Sequence, residues 1–173
     1  MAPRVILTGY MGAGKTTAGK QLARELGWEF IDTDKETESE MGMDIPRAFK
    51  KIGEDGFRKT EARVITRLLE APAAGDKGRV ISLGGGAVTI KKVYELLKNE
   101  RLVFFLKPDI DVAYKRVGKS GRPLAMDPES FRNLYRQREP LYLETASNVV
   151  ETGSMKASEI AGEIIRVIRK GGY

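Results

Sequence analysis

Apolar residues in this chain come in two alternating patterns. Short continuous runs bounded by glycine, aspartate or charged residues read as buried strands at 5–7, 29–31, 80–83, 102–106 and 148–150. Between them lie longer stretches with apolar residues three and four apart, which read as helices. The spacing predicts a helix over 15–26 with Ala18, Leu22 and Leu26 on one face and Gly27 at its end. Charged helical pieces are predicted over 36–41 and 45–51, and a stronger helix over 57–69. Further helices are predicted over 91–99, 110–116 and 129–138, with Pro140 ending or kinking the last of these. A C-terminal helix carries Ile160, Ile164, Ile165 and Ile168 on one stripe. Strands alternating with helices imply a parallel five-stranded sheet covered on both faces, an α/β fold in three layers. Such sheets bind ligands beyond the carboxyl ends of their strands. The three stretches rich in glycine or aspartate, 9–14, 32–34 and 84–86, all fall at those ends.

Composition narrows the chemistry. The chain has 173 residues, enough for one domain with a real core. It has no cysteine and no histidine, which excludes disulfides, thiolate metal sites and histidine acid–base chemistry, and leaves carboxylates, lysines and arginines. No apolar run approaches the roughly 20 residues of a membrane span, and the first residues lack the pattern of a signal peptide. The expectation is a cytoplasmic protein. The net charge of +6 is concentrated between Lys115 and Arg138, a segment of charge +5. That concentration fits an anionic partner, nucleotide or nucleic acid, and equally a solvated basic helix face.

Gly9-Tyr10-Met11-Gly12-Ala13-Gly14-Lys15-Thr16 satisfies the phosphate-loop pattern G-x-x-x-x-G-K-[ST] between a predicted strand and a predicted helix. In such a loop the glycines let successive N–H groups turn inward toward phosphate oxygens, and the helix adds its positive end. Lys15 is placed to reach the β- and γ-phosphates, and the Thr16 hydroxyl to ligate Mg2+. The alternative is a glycine-rich turn that matches by chance, against which the strand and helix on either side both speak.

A phosphate loop does not name the acceptor. Asp32-x-Asp34 closes the second strand, where one carboxylate could hold the metal's water shell and the other meet an acceptor hydroxyl. No aspartate follows the run 80–83, a usual place for the magnesium carboxylate, so Asp32 is the substitute. The plain alternative is a helix cap at Asp34. Arg58 opens an amphipathic helix, and Arg138 shares a face with Leu134, Tyr135, Leu141 and Tyr142. A guanidinium on an apolar face needs a partner, either an internal carboxylate or a substrate carboxylate that fits its planar fork. Gly84-Gly85-Gly86 is either a turn or a place where substrate lies against the backbone.

Together these segments resemble the shikimate kinases. The resemblance covers Gly9 to about Ala146. It rests on 9–17, Asp32-Thr33-Asp34, Gly53-Glu54 with Phe57-Arg58 and Glu61, Leu83-Gly84-Gly85-Gly86-Ala87-Val88, Arg122-Pro123-Leu124, and Arg138-x-Pro140-Leu141-Tyr142. It implies a fold like that of the nucleoside-monophosphate kinases, one kinase domain over 1–173 with a substrate-binding subdomain at 34–61 and a lid at 117–125. Transfer of the ATP γ-phosphoryl group to the 3-hydroxyl of shikimate, a step of aromatic amino acid biosynthesis, is the implied reaction. Nucleotide contacts are implied for Gly12, Ala13, Gly14, Lys15, Thr16, Thr17, Arg116 and Arg122, with Arg116 beside the adenine. Shikimate contacts are implied for Asp34, Arg58, Gly84, Gly85, Gly86 and Arg138. Lys15, Asp34 and Arg122 carry the chemistry, and Thr16 and Asp32 serve Mg2+. Two positions depart from the pattern: Ala125 stands where a second leucine usually follows Arg-Pro-Leu, and 153–158 lacks the arginine often found near the adenine.

Two other readings remain. A gluconate-type kinase shares the phosphate loop without the paired arginines and triple glycine. A phosphate-loop switch or RNA-associated NTPase would use the basic segment, which has few aromatic residues at stacking positions. The expected partner is therefore a small molecule, with no nucleic acid or membrane, acting on a monomer.

Overall fold

The computed structural model describes residues 3–71, 77–119 and 127–172. The elements follow in the order β1 (Arg4–Thr8), α1 (Lys15–Leu26), β2 (Glu29–Asp32), α2 (Thr33–Met41), α3 (Ile45–Glu70) and β3 (Arg79–Ser82). A 3-10 turn at Ala87–Thr89 leads to α4 (Lys91–Lys98), β4 (Val103–Lys107), α5 (Ile110–Lys119), α6 (Pro128–Thr145), β5 (Asn148–Glu151) and α7 (Ala157–Lys170). The sheet order is β2-β3-β1-β4-β5, every pairing parallel. After β1 the chain builds one side of the sheet and then the other. The carboxyl end of β1 is thus the switch point at which such sheets open a ligand crevice.

Strand alternation divides the core between the two faces. Val5, Leu7, Val80, Phe104 and Leu106 pack with Ala18 and Leu22 of α1 and with Ile160, Ile164 and Ile168 of α7. Ile6, Ile81, Val103 and Phe105 turn the other way, onto Ile65, Leu69, Val93, Leu97, Phe131 and Tyr142 from α3, α4 and α6. The central strands are buried on both sides, which is why they read as unbroken apolar runs.

Three elements differ from the pattern-based expectation. Helix α2 begins at Thr33, because the extended Asp32 caps it and accepts from Asp34 N at 3.1 Å. The cap is therefore Asp32, one turn position earlier than an Asp34 cap would be. Pieces 45–51 and 57–69 form one run, α3, interrupted at Gly53 (φ 69°, ψ 176°). Helix α6 does not end before Pro140 but continues to Thr145. Proline removes one N–H from the helix ladder, a local loss. Beyond it the helix is held by tertiary packing: Tyr142 is fully buried and stacks on Phe105 at 5.0 Å, and Thr145 Oγ1 donates to Leu141 O. Glu40 of α2 accepts from Arg63 Nε and Arg67 of α3, each at 2.7 Å, and so fixes α2 against the second part of α3. Among the described residues no helix is long and apolar enough to cross a membrane.

Candidate active site

The loop from β1 to α1 is fitted tightly to the sheet and to α5. Gly12 has φ 81°, and a Cβ there would lie 2.5 Å from Ala113 O. Gly14, at φ 89°, is the N-cap of α1 with no side-chain cap, so the first-turn N–H groups face outward without an intrahelical acceptor. Ala13 is buried and its N–H closes a turn on Tyr10 O at 3.2 Å. Lys15 Nζ donates to Gly9 O at 2.7 Å and Tyr10 O at 3.1 Å, which holds the ammonium over the loop. Thr16 Oγ1 donates to Asp32 Oδ2 at 2.9 Å, joining the helix start to the end of β2. Thr17 is exposed on α1 beside Thr16, Lys20, Gln21 and Arg24.

The end of β3 lies beside this loop. A Cβ at Gly85 would stand 3.3 Å from Met11 N. The neighbouring glycines admit charged groups from α2 and α3. A Cβ at Gly84 would lie 2.5 Å from Asp34 Oδ1 and 2.8 Å from Glu61 Oε1, and one at Gly86 would lie 2.5 Å from the Arg58 guanidinium. Thr33 Oγ1 accepts from Gly84 N at 3.1 Å and fixes the start of α2 against the same turn. From α6, Tyr142 donates its hydroxyl to Gly85 O at 2.5 Å.

Electrostatics link these groups. Arg58 pairs with Glu61 at 2.6 Å and with Glu54 at 3.3 Å. Glu61 is 1% exposed, and burial pushes its carboxyl above the usual range; the charge of Asp34 pushes the same way, while Arg58 and Arg138 oppose. Burial likewise raises the Tyr142 phenol, against the fields of Arg138 and Arg58, and the Tyr10 phenol, against that of Arg138. Arg58 and Arg138 therefore act on the same two groups, Glu61 and Tyr142, although 80 positions separate them in the chain.

Arg116 of α5 lies against the phosphate loop and the β5–α7 connection, donating to Gly12 O at 3.4 Å and Gly153 O at 3.5 Å. Part of the basic segment is internally committed, since Arg132 donates twice to Asp111. Arg122 and most of the expected lid fall outside the described residues. Among the described residues no cluster of three or more acidic side chains offers a metal cage, which leaves the pair Thr16 and Asp32.

Sequence reasoning missed Tyr10 and Thr33 as parts of the site. Tyr10 occupies an unspecified position of the motif, yet it is fully buried, edge-on to Phe131 at 4.8 Å, and donates to Phe131 O at 3.1 Å. Only the fold reveals this anchor of the loop on α6. The Glu61 contact was signalled by its i+3 spacing from Arg58.

The profile of the shikimate kinase family matches residues 11–169. A shikimate kinase of Marinomonas sp. (strain MWYL1) is 38% identical over 173 residues, covering 98% of this chain and 93% of its own. That of Halorhodospira halophila is 41% identical over 170 residues, covering 96% and 93%. Among solved structures, a shikimate kinase from Acinetobacter baumannii in complex with shikimate superposes with a TM-score of 0.89 at 36% identity, covering 99% of this chain and 95% of that one. A deoxyadenosine kinase from M. mycoides, at 16% identity and a TM-score of 0.54, shares the fold alone.

Proposed function

The chain belongs to the shikimate kinase family, and from that premise we propose how its own residues move the ATP γ-phosphoryl group to the 3-hydroxyl of shikimate. The observation that carries the reading is the grouping of Asp34, Arg58 and Arg138 around Gly84–Gly86, directly beside the phosphate loop. A phosphate donor on the loop and a carboxylated polyol on the glycine turn would be neighbours.

ATP binds with its phosphates on the N–H groups of Gly12, Ala13, Gly14 and the first turn of α1, with Thr17 at the rim. Arg116 flanks the base. Thr16 and Asp32 are hard oxygen donors, the kind Mg2+ takes alongside nucleotide phosphates, so they fit that ion. Mg2+ supplies neutralisation of phosphate charge. On the acceptor side, Arg58 and Arg138 hold the shikimate carboxylate with paired N–H contacts, and Gly84, Gly85 and Gly86 let the ring lie on the backbone. Asp34 orients the attacking hydroxyl and takes its proton as the oxygen bonds to the γ-phosphorus and the bond to ADP breaks. Lys15, and Arg122 arriving with a lid at 117–125, stabilise the charge on the transferring group. The unit at 34–61 serves as the substrate-binding part of a single domain.

ADP release measured with shikimate, gluconate and nucleoside monophosphates tests this. Turnover is expected with shikimate and is expected to fall about 10²–10³-fold in Lys15→Met, which loses one preorganised charge. Preference for gluconate or a nucleotide acceptor would overturn the reading.

A further inference from the structure

Tyr142 sits where the acceptor turn meets α6. Its ring is fully buried and stacks on Phe105 at 5.0 Å, so the phenol has one orientation. A phenol has one proton to donate. Here that proton goes to Gly85 O at 2.5 Å, which leaves only lone pairs for the second neighbour of the hydroxyl, the Arg138 side chain, which hydrogen-bonds to it. The donor and acceptor roles are thereby fixed: arginine to phenol, phenol to backbone carbonyl. Gly85 and Arg138 stand 53 positions apart in the chain and on different elements. Pro140 lies between Arg138 and Tyr142, where the helix ladder has lost a bond, so the helix alone does not lock the position of Arg138 relative to Tyr142.

We propose that Tyr142 is a positioning residue for acceptor recognition: its hydroxyl sets Arg138 in register with the Gly84–Gly86 turn, so that guanidinium and backbone present one prearranged surface to the acceptor carboxylate. This rests on the assignment of Arg138 to the acceptor carboxylate. Hydrogen bonds to a charged group are worth more than neutral ones, and the chain Arg138–Tyr142–Gly85 is charge-assisted at its first link. Binding is strengthened when such a group is held before the ligand arrives.

Tyr142→Phe keeps the ring and removes the hydroxyl. The expected result is a rise of roughly tenfold in KM for shikimate, with KM for ATP within about twofold and kcat altered less than KM. Arg138→Lys is measured beside it, and in that background Tyr142→Phe is expected to add little, since both act through one contact. If Arg138→Lys weakens shikimate binding and Tyr142→Phe does not, the proposal is overturned while the assignment of Arg138 stands. If neither changes shikimate KM, the assignment fails and the proposal with it. Equal losses toward both substrates would mark a general structural role and also overturn it. Should the variant melt below the assay temperature, calorimetric titration of shikimate in the cold reads the same outcomes.

Discussion

Glu61 is a carboxyl group carried into the interior with one strong attraction and one repulsion, Arg58 at 2.6 Å and the charge of Asp34. Its burial outweighs the help of Arg58 and Arg138, so its proton is held more firmly in the folded protein than in the unfolded chain. A carboxyl raised in this way stabilises the fold below the ordinary carboxylate range, and that contribution is lost as pH rises through the raised value. Glu61→Gln removes the titration and keeps the shape. The stability of wild type relative to Glu61→Gln should therefore decline from about pH 4 to about pH 8, measured as paired denaturant melts. Other carboxylates, such as Asp127 and Glu40, whose protons are held less firmly, cancel in the paired difference. A difference that stays constant, or grows with pH, would mean that Arg58 holds Glu61 ionised throughout and that burial does not dominate.

The glycine turn after β3 shows what a short element adds to its residues. Gly84 and Gly86 lie two apart, yet the space above one is taken by Asp34 and Glu61 and above the other by Arg58. Both have ordinary backbone angles, so alanine fits the chain and only the facing side chains must move. Gly84→Ala should displace the Asp34 carboxylate and lower kcat by at least about tenfold, whereas Gly86→Ala should displace the Arg58 guanidinium and raise shikimate KM. Steady-state kinetics on the two variants separate these effects, and the same pattern in both would contradict the division of roles. The turn was legible in the sequence as a triple glycine at a strand end, but what it made room for was not, because that depends on α2 and α3 folding back over it. Elements with strong local signals were read closely: α1 runs over the residues its spacing predicts, and the strands match within about two residues. The misreadings came where tertiary contacts override local preference. Tyr142 and Thr145 hold α6 together past Pro140, and Asp32 starts α2 directly from the strand.

At the scale of the whole molecule, the order β2-β3-β1-β4-β5 brings the start of α1, the turn after β3 and the middle of α6 to one end of the sheet. Arg58 and Arg138 reach that end from opposite halves of the chain. Each also has an internal commitment, Arg58 to Glu61 and Glu54, Arg138 to Tyr142. Lysine keeps the charge against these neighbours, so it avoids stranding the buried Glu61 carboxylate, an error that costs about 3–5 kcal/mol when one partner of a buried pair is removed. What lysine loses is the paired fork that fits a carboxylate. Arg58→Lys and Arg138→Lys should therefore each weaken shikimate binding, with ATP binding to the free enzyme nearly unchanged. Because the two arginines share one ligand group, the double variant should depart from additivity by about 0.5–3 kcal/mol. Calorimetric titration of the four proteins completes the cycle. Two variants that melt early yet bind shikimate normally once folded would make both arginines structural partners of Glu61 and Tyr142. The carboxylate clamp would then have to lie elsewhere on the same sheet end.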